Sequence, residues 1–217
     1  MDYNIFCLGD SITYGLNDNK GGWCDRLKVH FLEKEITDPN HSSIRIWNFG
    51  ISGQTIKSFI ENGTLQEPFT RIKKNKSNIF IIAFGANDCA YSTDESDFLT
   101  STEDFTQSLK KIVDLFSEFG KIIYINITPI STDINNKPDK YNCIRSKEYI
   151  SLFNDIISKH AKVTGSLFVD INSSFQESFK RDKQNLLSID GLHPNSLGHN
   201  LMYLEIKAAI ESLILVK

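Results

Sequence analysis

A serine just beyond a short apolar run is the leading candidate for a reactive residue in this chain. Residues 5–8 are apolar and are followed by Gly9, Asp10 and Ser11. A buried strand that ends at this point would place a small hydroxyl group at the edge of a sheet. Because a serine hydroxyl is a weak nucleophile at neutral pH, it needs a neighbouring base, which a third group must hold in one tautomer. This position supports the hypothesis that Ser11 is a nucleophile.

The candidate base is His193, and the candidate group that orients it is Asp190. Three positions apart, the two side chains can meet only if the loop curls back on itself, which Gly191 permits because glycine tolerates left-handed backbone. A second interpretation stays open on these residues alone, in which Asp190 is an ordinary loop acid and His193 marks the start of a helix. The other histidines are expected to be structural or solvated, since they fall within helices or a polar loop. They are His30, His41, His160 and His199.

Attack of a serine on an ester carbonyl creates an oxyanion, which needs hydrogen-bond donors that are already in place. Three candidate donors fall at the predicted ends of separate strands. They are the backbone N–H of Ser11, the backbone N–H of Gly53 and the side-chain amide of Asn87. Taken singly, Gly53 is equally typical of a turn and Asn87 of a strand-end cap. Their assignment depends on sharing one edge of the sheet with Ser11.

The residues that flank these positions are expected to shape the acyl and alcohol pockets. They are Tyr14, Ile51, Ser52, Cys89, Ala90, Tyr91, Pro129, Ile130 and Leu192. Tyr14 and Tyr91 are as compatible with surface aromatics that pack loops as with substrate contacts. Cys89 is expected to be a small buried side chain and not a catalytic thiol, since no second base lies near it in the sequence. No apolar lid is evident, which favours a short acyl group on a small or sugar-like alcohol.

Five apolar runs of strand length organise the chain. None of them alternates cleanly between apolar and polar residues, which indicates a parallel sheet with both faces covered by helices. The predicted strands are Asn4 to Leu8, Ile44 to Phe49, Ile79 to Phe84, Ile122 to Thr128 and the shorter Leu167 to Ile171. Segments with helical spacing lie between them, so the alternation predicts a doubly wound α/β fold. In such a fold, ligands bind at the carboxyl ends of the strands, which is where small and polar residues collect in this chain.

Four segments carry the apolar spacing of helices that pack against a sheet. Their apolar positions are Trp23, Leu27, Phe31 and Leu32; Phe105, Leu109, Ile112, Val113 and Phe116; Ile150, Phe153, Ile157 and Ala161; and Leu197, Leu201, Leu204 and Ala208. The polar segments Ser92 to Thr100 and Ser131 to Tyr141 are predicted to be surface loops. Without an internal repeat or a linker, residues 1–217 are predicted to form a single domain.

Composition narrows the class of protein. The 217 residues carry a formal net charge of −3, with 40% hydrophobic and 24% charged residues, which is ordinary for a globular protein. Without a large basic block, nucleic acid is a poor candidate partner. No apolar run approaches the roughly 18 residues of a membrane-spanning helix, so no membrane insertion is expected.

Cysteine usage bears on the compartment. The four cysteines are widely separated and show neither a CxxC pair nor zinc-site spacing. They are Cys7, Cys24, Cys89 and Cys143. Reduced thiols are typical of a reducing compartment, and no basic region with a cleavable apolar stretch is evident at the N-terminus. These features predict a cytoplasmic protein.

Four short blocks, each at a predicted strand end or in the loop that carries the candidate base, follow one another in the chain. They are GDSIT at 9–13, NFGISG at 48–53, GAND at 85–88 and DGLHP at 190–194. In this order they resemble the four blocks of the GDSL lipase/esterase family, also called SGNH hydrolases. Each block is weak alone, whereas four in order across almost the whole chain are specific. The one departure is Ile12, which stands where the family name has leucine.

The resemblance implies a fold, an activity and a set of site residues. The fold would be a flavodoxin-like three-layer α/β/α sandwich with a five-stranded parallel sheet. The activity would be hydrolysis of small-molecule esters or thioesters by a serine, without a metal or other cofactor. Ser11 would be the nucleophile, Asp190 and His193 would complete the triad, and the Ser11 and Gly53 amides with the Asn87 side chain would form the oxyanion hole.

Two other classes of protein stay open on the sequence. A metal-dependent phosphohydrolase is possible in principle because carboxylates near strand ends can hold Mg²⁺. The acids in question are Asp10, Asp88, Asp170 and Asp190, but no two are closely spaced, and Asp10 and Asp88 are suited to bracing loops. A binding protein on a hydrolase scaffold is the second alternative, which the intact set of triad residues disfavours. The oligomeric state is left open.

Overall fold

The computed structural model describes residues 2–38, 40–73 and 75–215. Five parallel strands form its central sheet, in the order β2-β1-β3-β6-β9. These strands are β1 Tyr3–Gly9, β2 Ile44–Gly50, β3 Ser77–Ala83, β6 Gly120–Ile125 and β9 Leu167–Val169. Because all five are parallel, their carboxyl ends lie along one edge of the sheet. The predicted doubly wound α/β fold is confirmed.

Seven α-helices and one 3-10 helix are found among the described residues. The α-helices are α1 Ser11–Tyr14, α2 Gly22–Thr37, α3 Ile56–Glu61, α4 Thr102–Ser117, α5 Lys147–Thr164, α6 Ile171–Asp182 and α7 Ser196–Leu215. The 3-10 helix spans Thr64–Arg71. Helix α2 packs against α7, and α4 packs against α3 and α5, so helices cover both faces of the sheet.

The continuous apolar runs form strands because both of their faces are buried. In β1, residues 5–8 are fully buried. The ring of Phe6 stacks on Phe80 with centroids 4.8 Å apart, and Phe80 stacks on Phe116 of α4 at 4.5 Å. The predicted apolar face of α4 is buried against this layer, and the Ser101 hydroxyl caps the helix by accepting from the backbone N–H of Asp104 at 3.1 Å.

Two predicted strands end two or more residues earlier than the sequence suggests. Strand β6 stops at Ile125 and not at Thr128, and β9 stops at Val169 and not at Ile171. The reason for the second difference is Asp170, whose Oδ1 accepts from the backbone N–H of Ser173 at 3.0 Å and caps the unpredicted helix α6. A carboxylate that caps a helix ends the strand before it, although the next residue is apolar.

The two polar segments predicted to be loops contribute to a second, antiparallel sheet. It is built from β4 Tyr91–Ser92, β5 Asp97–Phe98, β7 Lys137–Pro138 and β8 Cys143–Arg145, in the order β5-β4-β8-β7. Phe98 holds this sheet on α5, since its ring makes edge-to-face contacts with Tyr149 and Phe153 at 5.1 and 5.3 Å between centroids. The sheet therefore covers the chain that follows β3, and it places Arg145 within hydrogen-bond distance of Asn87.

Two findings concern the sequence expectations on membranes and thiols. Across the described ranges, no helix has both the length and the apolar character needed to cross a membrane. The four cysteines are free and buried.

Candidate active site

Ser11 lies at the turn between β1 and α1, at the carboxyl edge of the sheet. The Asp10 side chain shapes this turn, because its Oδ1 accepts from the backbone N–H of Ile12 at 2.9 Å and caps α1. Glycine is required at position 9, since a Cβ there would lie 2.2 Å from Thr13 Oγ1. Asp10 is buried, and this burial raises its pKa to about 6. The turn presents the Ser11 hydroxyl at the end of β1, as the sequence predicts.

A chain of two hydrogen bonds joins Ser11 to the loop before α7. Ser11 Oγ lies 2.8 Å from His193 Nε2, and His193 Nδ1 lies 2.8 Å from Asp190 Oδ2. A carboxylate can only accept, so Nδ1 carries the proton and Nε2 is left to accept from the serine. Partial burial opposes ionisation of Asp190, but the backbone N–H groups of His193 and Leu192 and the imidazole outweigh it and lower the pKa of this carboxyl.

The loop curls back on itself because of Gly191, as the sequence required. Gly191 has φ = 70°, and a Cβ on it would lie 2.3 Å from Ser131 Oγ. Asp190 Oδ1 accepts from the backbone N–H groups of Leu192 and His193, both at 3.0 Å. The Ser131 N–H donates to the Gly191 carbonyl at 2.8 Å. The acid and the histidine are therefore fixed by the backbone of their own loop and by the chain that follows β6.

Gly53 and Asn87 follow β2 and β3, the two strands that flank β1. Gly53 has φ = 78°, and nothing lies within 4 Å of where its Cβ would be, so the space beside it is open. Asn87 Nδ2 donates to the carbonyl of Gln54 at 3.1 Å, and Asn87 Oδ1 accepts from Arg145 Nη2 at 3.4 Å. Because Arg145 can only donate, it fixes which end of the amide carries the N–H groups.

Arg145 is a residue that sequence reasoning missed. Its Nε donates to the Ala86 carbonyl at 3.2 Å, and its Nη1 donates to Asp139 Oδ2 at 2.8 Å. The arginine therefore ties the GAND block to the second sheet. Its place after a predicted loop offered no signal, because the contact with Asn87 spans 58 positions.

Asp88 connects the chain segments that carry the candidate oxyanion donors Gly53 and Asn87. The side chain is fully buried, and its Oδ1 accepts from the backbone N–H of Ile56 at 2.9 Å and from Thr100 Oγ1 at 2.7 Å. The first bond links the end of β3 to the start of α3, which directly follows the Gly53 loop. Burial raises the pKa of Asp88 to about 7, and its Oδ2 has no hydrogen-bond partner among the described residues.

We expect Asp88→Asn to remove a pH dependence of stability. The native pKa of about 7 compares with about 4 in an unfolded chain. Between these values the native state retains a proton that the unfolded state has released, so this carboxyl makes the free energy of unfolding fall as the pH rises from about 4 to about 7. Asparagine accepts the same two bonds without ionising. In urea unfolding, the free energy of unfolding of the variant relative to that of the wild type should rise by about 2 kcal/mol between pH 5 and pH 8.

The control for that experiment is Asp133→Asn, which changes an exposed acid in the chain after β6. Its offset from the wild type should stay constant over the same range. A constant offset for Asp88→Asn as well would contradict the raised pKa of the buried carboxyl.

The residues expected to line the substrate pockets have different surroundings. Tyr14 and Ile51 are exposed, and Leu192 and Tyr91 are half-buried, with the Tyr91 ring edge-on to Phe98. Cys89 is fully buried, so it has no surface to offer a substrate. Its thiol contacts the Ala86 carbonyl at 3.8 Å, and burial raises its pKa to about 12. Of the remaining flanking residues, Ser52 is exposed and Ala90 is buried.

Pro129 and Ile130 lie in the wall of a groove between α5 and α6. The groove has a volume of about 790 Å³, and its lining includes neither Ser11 nor His193. The same wall contains Ser131, which braces the loop at Gly191. These two flanking residues therefore border a space beside the triad loop and not the serine itself.

The other histidines are structural, as the sequence predicts. The ring nitrogens of His30 and His160 pair with the hydroxyls of Tyr203 and Tyr124 at 3.1 and 2.8 Å. His199 is fully buried, which lowers its pKa to about 4, and its Nε2 lies 3.3 Å from the Leu16 carbonyl. His41, in a polar segment, has its Nδ1 2.8 Å from the Ser42 carbonyl.

The four acids of the metal-site alternative have separate structural partners. Asp10 caps α1, Asp88 braces α3, Asp170 caps α6 and Asp190 contacts His193. In the part of the chain that the structure describes, no three His, Cys, Asp or Glu side chains are grouped as metal ligands would be.

The chain combines a parallel α/β sheet with a serine that is hydrogen-bonded to a histidine at its carboxyl edge, an arrangement that serine hydrolases of several unrelated folds share. The family model of GDSL-like lipase/acylhydrolase matches residues 5–206. The chain belongs to this family, and it is an ester-hydrolysing enzyme.

Individual relatives are similar to this chain over most of its length. An isoamyl acetate-hydrolysing esterase of Schizosaccharomyces pombe is 25% identical over 94% of this chain and 73% of its own. A probable rhamnogalacturonan acetylesterase of Bacillus subtilis, YesY, is 30% identical over 68% of this chain and 65% of its own. Among solved structures, the acetylxylan esterase Axe2 of Geobacillus stearothermophilus has a TM-score of 0.71 at 20% identity, covering 95% of this chain and 93% of its own. This last likeness concerns the fold.

Proposed function

We propose that the enzyme hydrolyses carboxylic esters through an acyl-enzyme formed on Ser11. The observation that carries the proposal is the hydrogen-bonded chain from Ser11 Oγ through the His193 ring to Asp190, with both bonds at 2.8 Å. A serine with a base at Nε2 and a carboxylate at Nδ1 has the arrangement that makes its hydroxyl a nucleophile.

In the acylation step, Ser11 Oγ attacks the ester carbonyl carbon while His193 Nε2 takes the hydroxyl proton. Asp190 holds the imidazole through Nδ1 and stabilises the positive charge that the ring acquires. The backbone N–H groups of Ser11 and Gly53 and the Asn87 amide donate to the oxyanion. When the carbonyl reforms, the bond to the alcohol oxygen breaks, and His193 returns the proton to the leaving alcohol.

Deacylation repeats these steps with water as the nucleophile. His193 Nε2 takes a proton from the water as its oxygen attacks the acyl carbon. The same three donors stabilise the second oxyanion, and the bond to Ser11 Oγ breaks as the serine recovers its proton from the ring. The carboxylic acid leaves, and the enzyme is regenerated without a cofactor.

We propose a short acyl group, acetyl or near it, on a small or sugar-like alcohol. The names of the two curated relatives support an acetyl group, since one hydrolyses isoamyl acetate and the other is a probable acetylesterase. A small cavity beside the turn at Ser11 has a volume of about 20 Å³ and is lined by residues that include Asp10 and Thr13. That volume is close to the minimum needed for one water, so an acyl chain cannot extend into it.

A series of 4-nitrophenyl esters from acetate to palmitate, with acetylated sugars beside it, tests this choice. We expect kcat/KM to be highest for acetate and to fall by about tenfold or more by octanoate, because a chain that no pocket receives gains no burial energy and forcing its bulk against a filled site costs about 1–3 kcal/mol. A kcat/KM for palmitate equal to or above that for acetate would overturn the short-acyl proposal. It would leave ester hydrolysis itself standing.

The compartment proposed from the sequence is the cytoplasm. Its support is that the four cysteines are free and buried, as is usual where thiols are kept reduced.

A further inference from the structure

The Asp190 carboxylate accepts a hydrogen bond that the triad does not require. Its Oδ1 is engaged by the two backbone N–H groups of Leu192 and His193, and its Oδ2 is shared. Oδ2 accepts from His193 Nδ1 at 2.8 Å and also from Asn17 Nδ2 at 2.6 Å. With two bonds on each oxygen, the carboxylate can rotate in neither direction without breaking one of them.

Asn17 presents its amide from a backbone conformation that few residues adopt. Its φ is +66°, in the left-handed region that asparagine and glycine tolerate better than other residues. The assignment of the amide ends is unambiguous, because a carboxylate oxygen accepts and only the NH₂ end of asparagine can donate. The turn after α1 thus holds this side chain against a residue 173 positions away.

The loop that carries Asn17 is fastened to the start of α7, the helix that directly follows His193. The Asp18 carboxylate accepts from Arg26, whose Nη2 also donates to the Ser196 carbonyl and hydroxyl at 3.1 and 3.0 Å. On the other side of Asn17, the Leu16 carbonyl lies 3.3 Å from His199 Nε2. These contacts on both sides of position 17 fix the distance between the Asn17 loop and the Asp190 loop.

We propose that Asn17 is a positioning residue: its side-chain amide holds the Asp190 carboxylate in the orientation that His193 requires as the base. The inference rests on the proposed function, because it assigns a role within that triad. The hydrogen bond from Asn17 also partly neutralises the negative charge on Oδ2, so the carboxylate stabilises the protonated imidazole less strongly than it would without this bond.

The decisive variant is Asn17→Gly, which removes the amide and keeps the left-handed backbone that glycine adopts without strain. We expect kcat to fall about tenfold, as for loss of a partly exposed hydrogen bond to a charged group. KM should stay within about twofold, since Asn17 acts on Asp190 and not on the substrate. The acid limb of kcat/KM should move to higher pH, because the carboxylate keeps more charge for the imidazolium.

Asn17→Asp supplies an independent readout with a side chain of the same shape. It replaces the amide with a second carboxyl group, and two carboxylates this close to each other share a proton in acid. Once that proton leaves, the second negative charge favours the imidazolium, so the acid limb should move further in the same direction than in Asn17→Gly. The other charged groups around His193 are unchanged in both variants: buried Asp10, the Asp18–Arg26 ion pair and His199. A difference between the profiles therefore reports the substitution at position 17.

The matched control is Asn19→Gly, an exposed asparagine in the same loop, which should keep wild-type kcat and acid limb. Thermal unfolding of each variant separates loss of fold from loss of rate. An Asn17→Gly enzyme with kcat within twofold of wild type, or a loss of rate with the acid limb unmoved, overturns the positioning role. Failure of the proposed function is distinguishable, because it would show as turnover that persists in Ser11→Ala.

Discussion

Ser11→Ala is expected to abolish ester turnover and to leave the fold intact. The substitution removes the oxygen that His193 deprotonates and on which the acyl group would form, so the loss should be about 10⁴-fold or more. Stability should change little, because the Ser11 hydroxyl has its hydrogen bond to His193 and is not part of the hydrophobic core. The measurement is the initial rate on 4-nitrophenyl acetate, together with circular dichroism and the unfolding midpoint.

Ser117→Ala is the control for this experiment, since it changes an exposed serine at the end of α4 and should keep wild-type turnover. A phosphonate that reacts with active-site serines should label the wild type and Ser117→Ala but not Ser11→Ala. Turnover near the wild-type rate in Ser11→Ala would remove the nucleophile assignment, and with it the acyl-enzyme mechanism.

Asn87→Ala is expected to lower kcat by about 10²–10³-fold with a smaller change in KM. In the proposed mechanism the amide donates to an oxygen that becomes charged only in the transition state, so its removal should cost rate more than substrate binding. We expect no compensation for this fall in kcat, because the backbone N–H groups of Gly53 and Ser11 cannot move to replace the missing donor. Steady-state kinetics on 4-nitrophenyl acetate would give the two constants separately.

The matched control is Asn200→Ala, an exposed asparagine on α7, which should be indistinguishable from wild type. Asn87→Asp sharpens the test, because it keeps the size of the side chain and the oxygen that accepts from Arg145, and it turns the donating Nδ2 into an acceptor. Its kcat should fall at least as far as that of Asn87→Ala. A change confined to KM in both variants would assign Asn87 to substrate binding and exclude it from the oxyanion hole.

Much of the site could be predicted because each of its parts is encoded locally. Ser11 directly follows a strand whose apolar run is continuous, and Gly191 marks the sharp turn that joins Asp190 to His193. In a parallel sheet the carboxyl ends of strands share one edge, so strand ends distant in the sequence could be expected to meet. The same reasoning identified the apolar faces of α4 and α5, which depend on helical spacing alone. The predicted face of α7 is wrong, since Leu197, Leu204 and Ala208 are exposed and the helix buries Met202, Ile206 and Ile210.

The parts that sequence reasoning missed depend on contacts between distant segments. Asn17 and Arg145 touch the site through hydrogen bonds that span 173 and 58 positions, and neither lies in a periodic pattern. Strands of two residues, such as β4 and β5, are too short to show alternation. The pairing of these strands depends on the packing of Phe98 against α5. Nothing in the local sequence indicates this contact. Helix α6 was missed because Asp170, which ends the strand and caps the helix, stands between two apolar residues and so resembles part of the strand.

The hydrogen bond between Ser11 and His193 joins positions 182 residues apart, and this separation governs when activity can arise during synthesis. A growing chain already carries Ser11 after β1 and the proposed oxyanion donors after β2 and β3, yet it lacks the proposed base until the loop before α7 emerges. In the proposed mechanism the hydroxyl stays a weak nucleophile through that interval, so a partly made chain should not cleave esters. Ester turnover would therefore report in real time the moment at which the first and last parts of this fold come together.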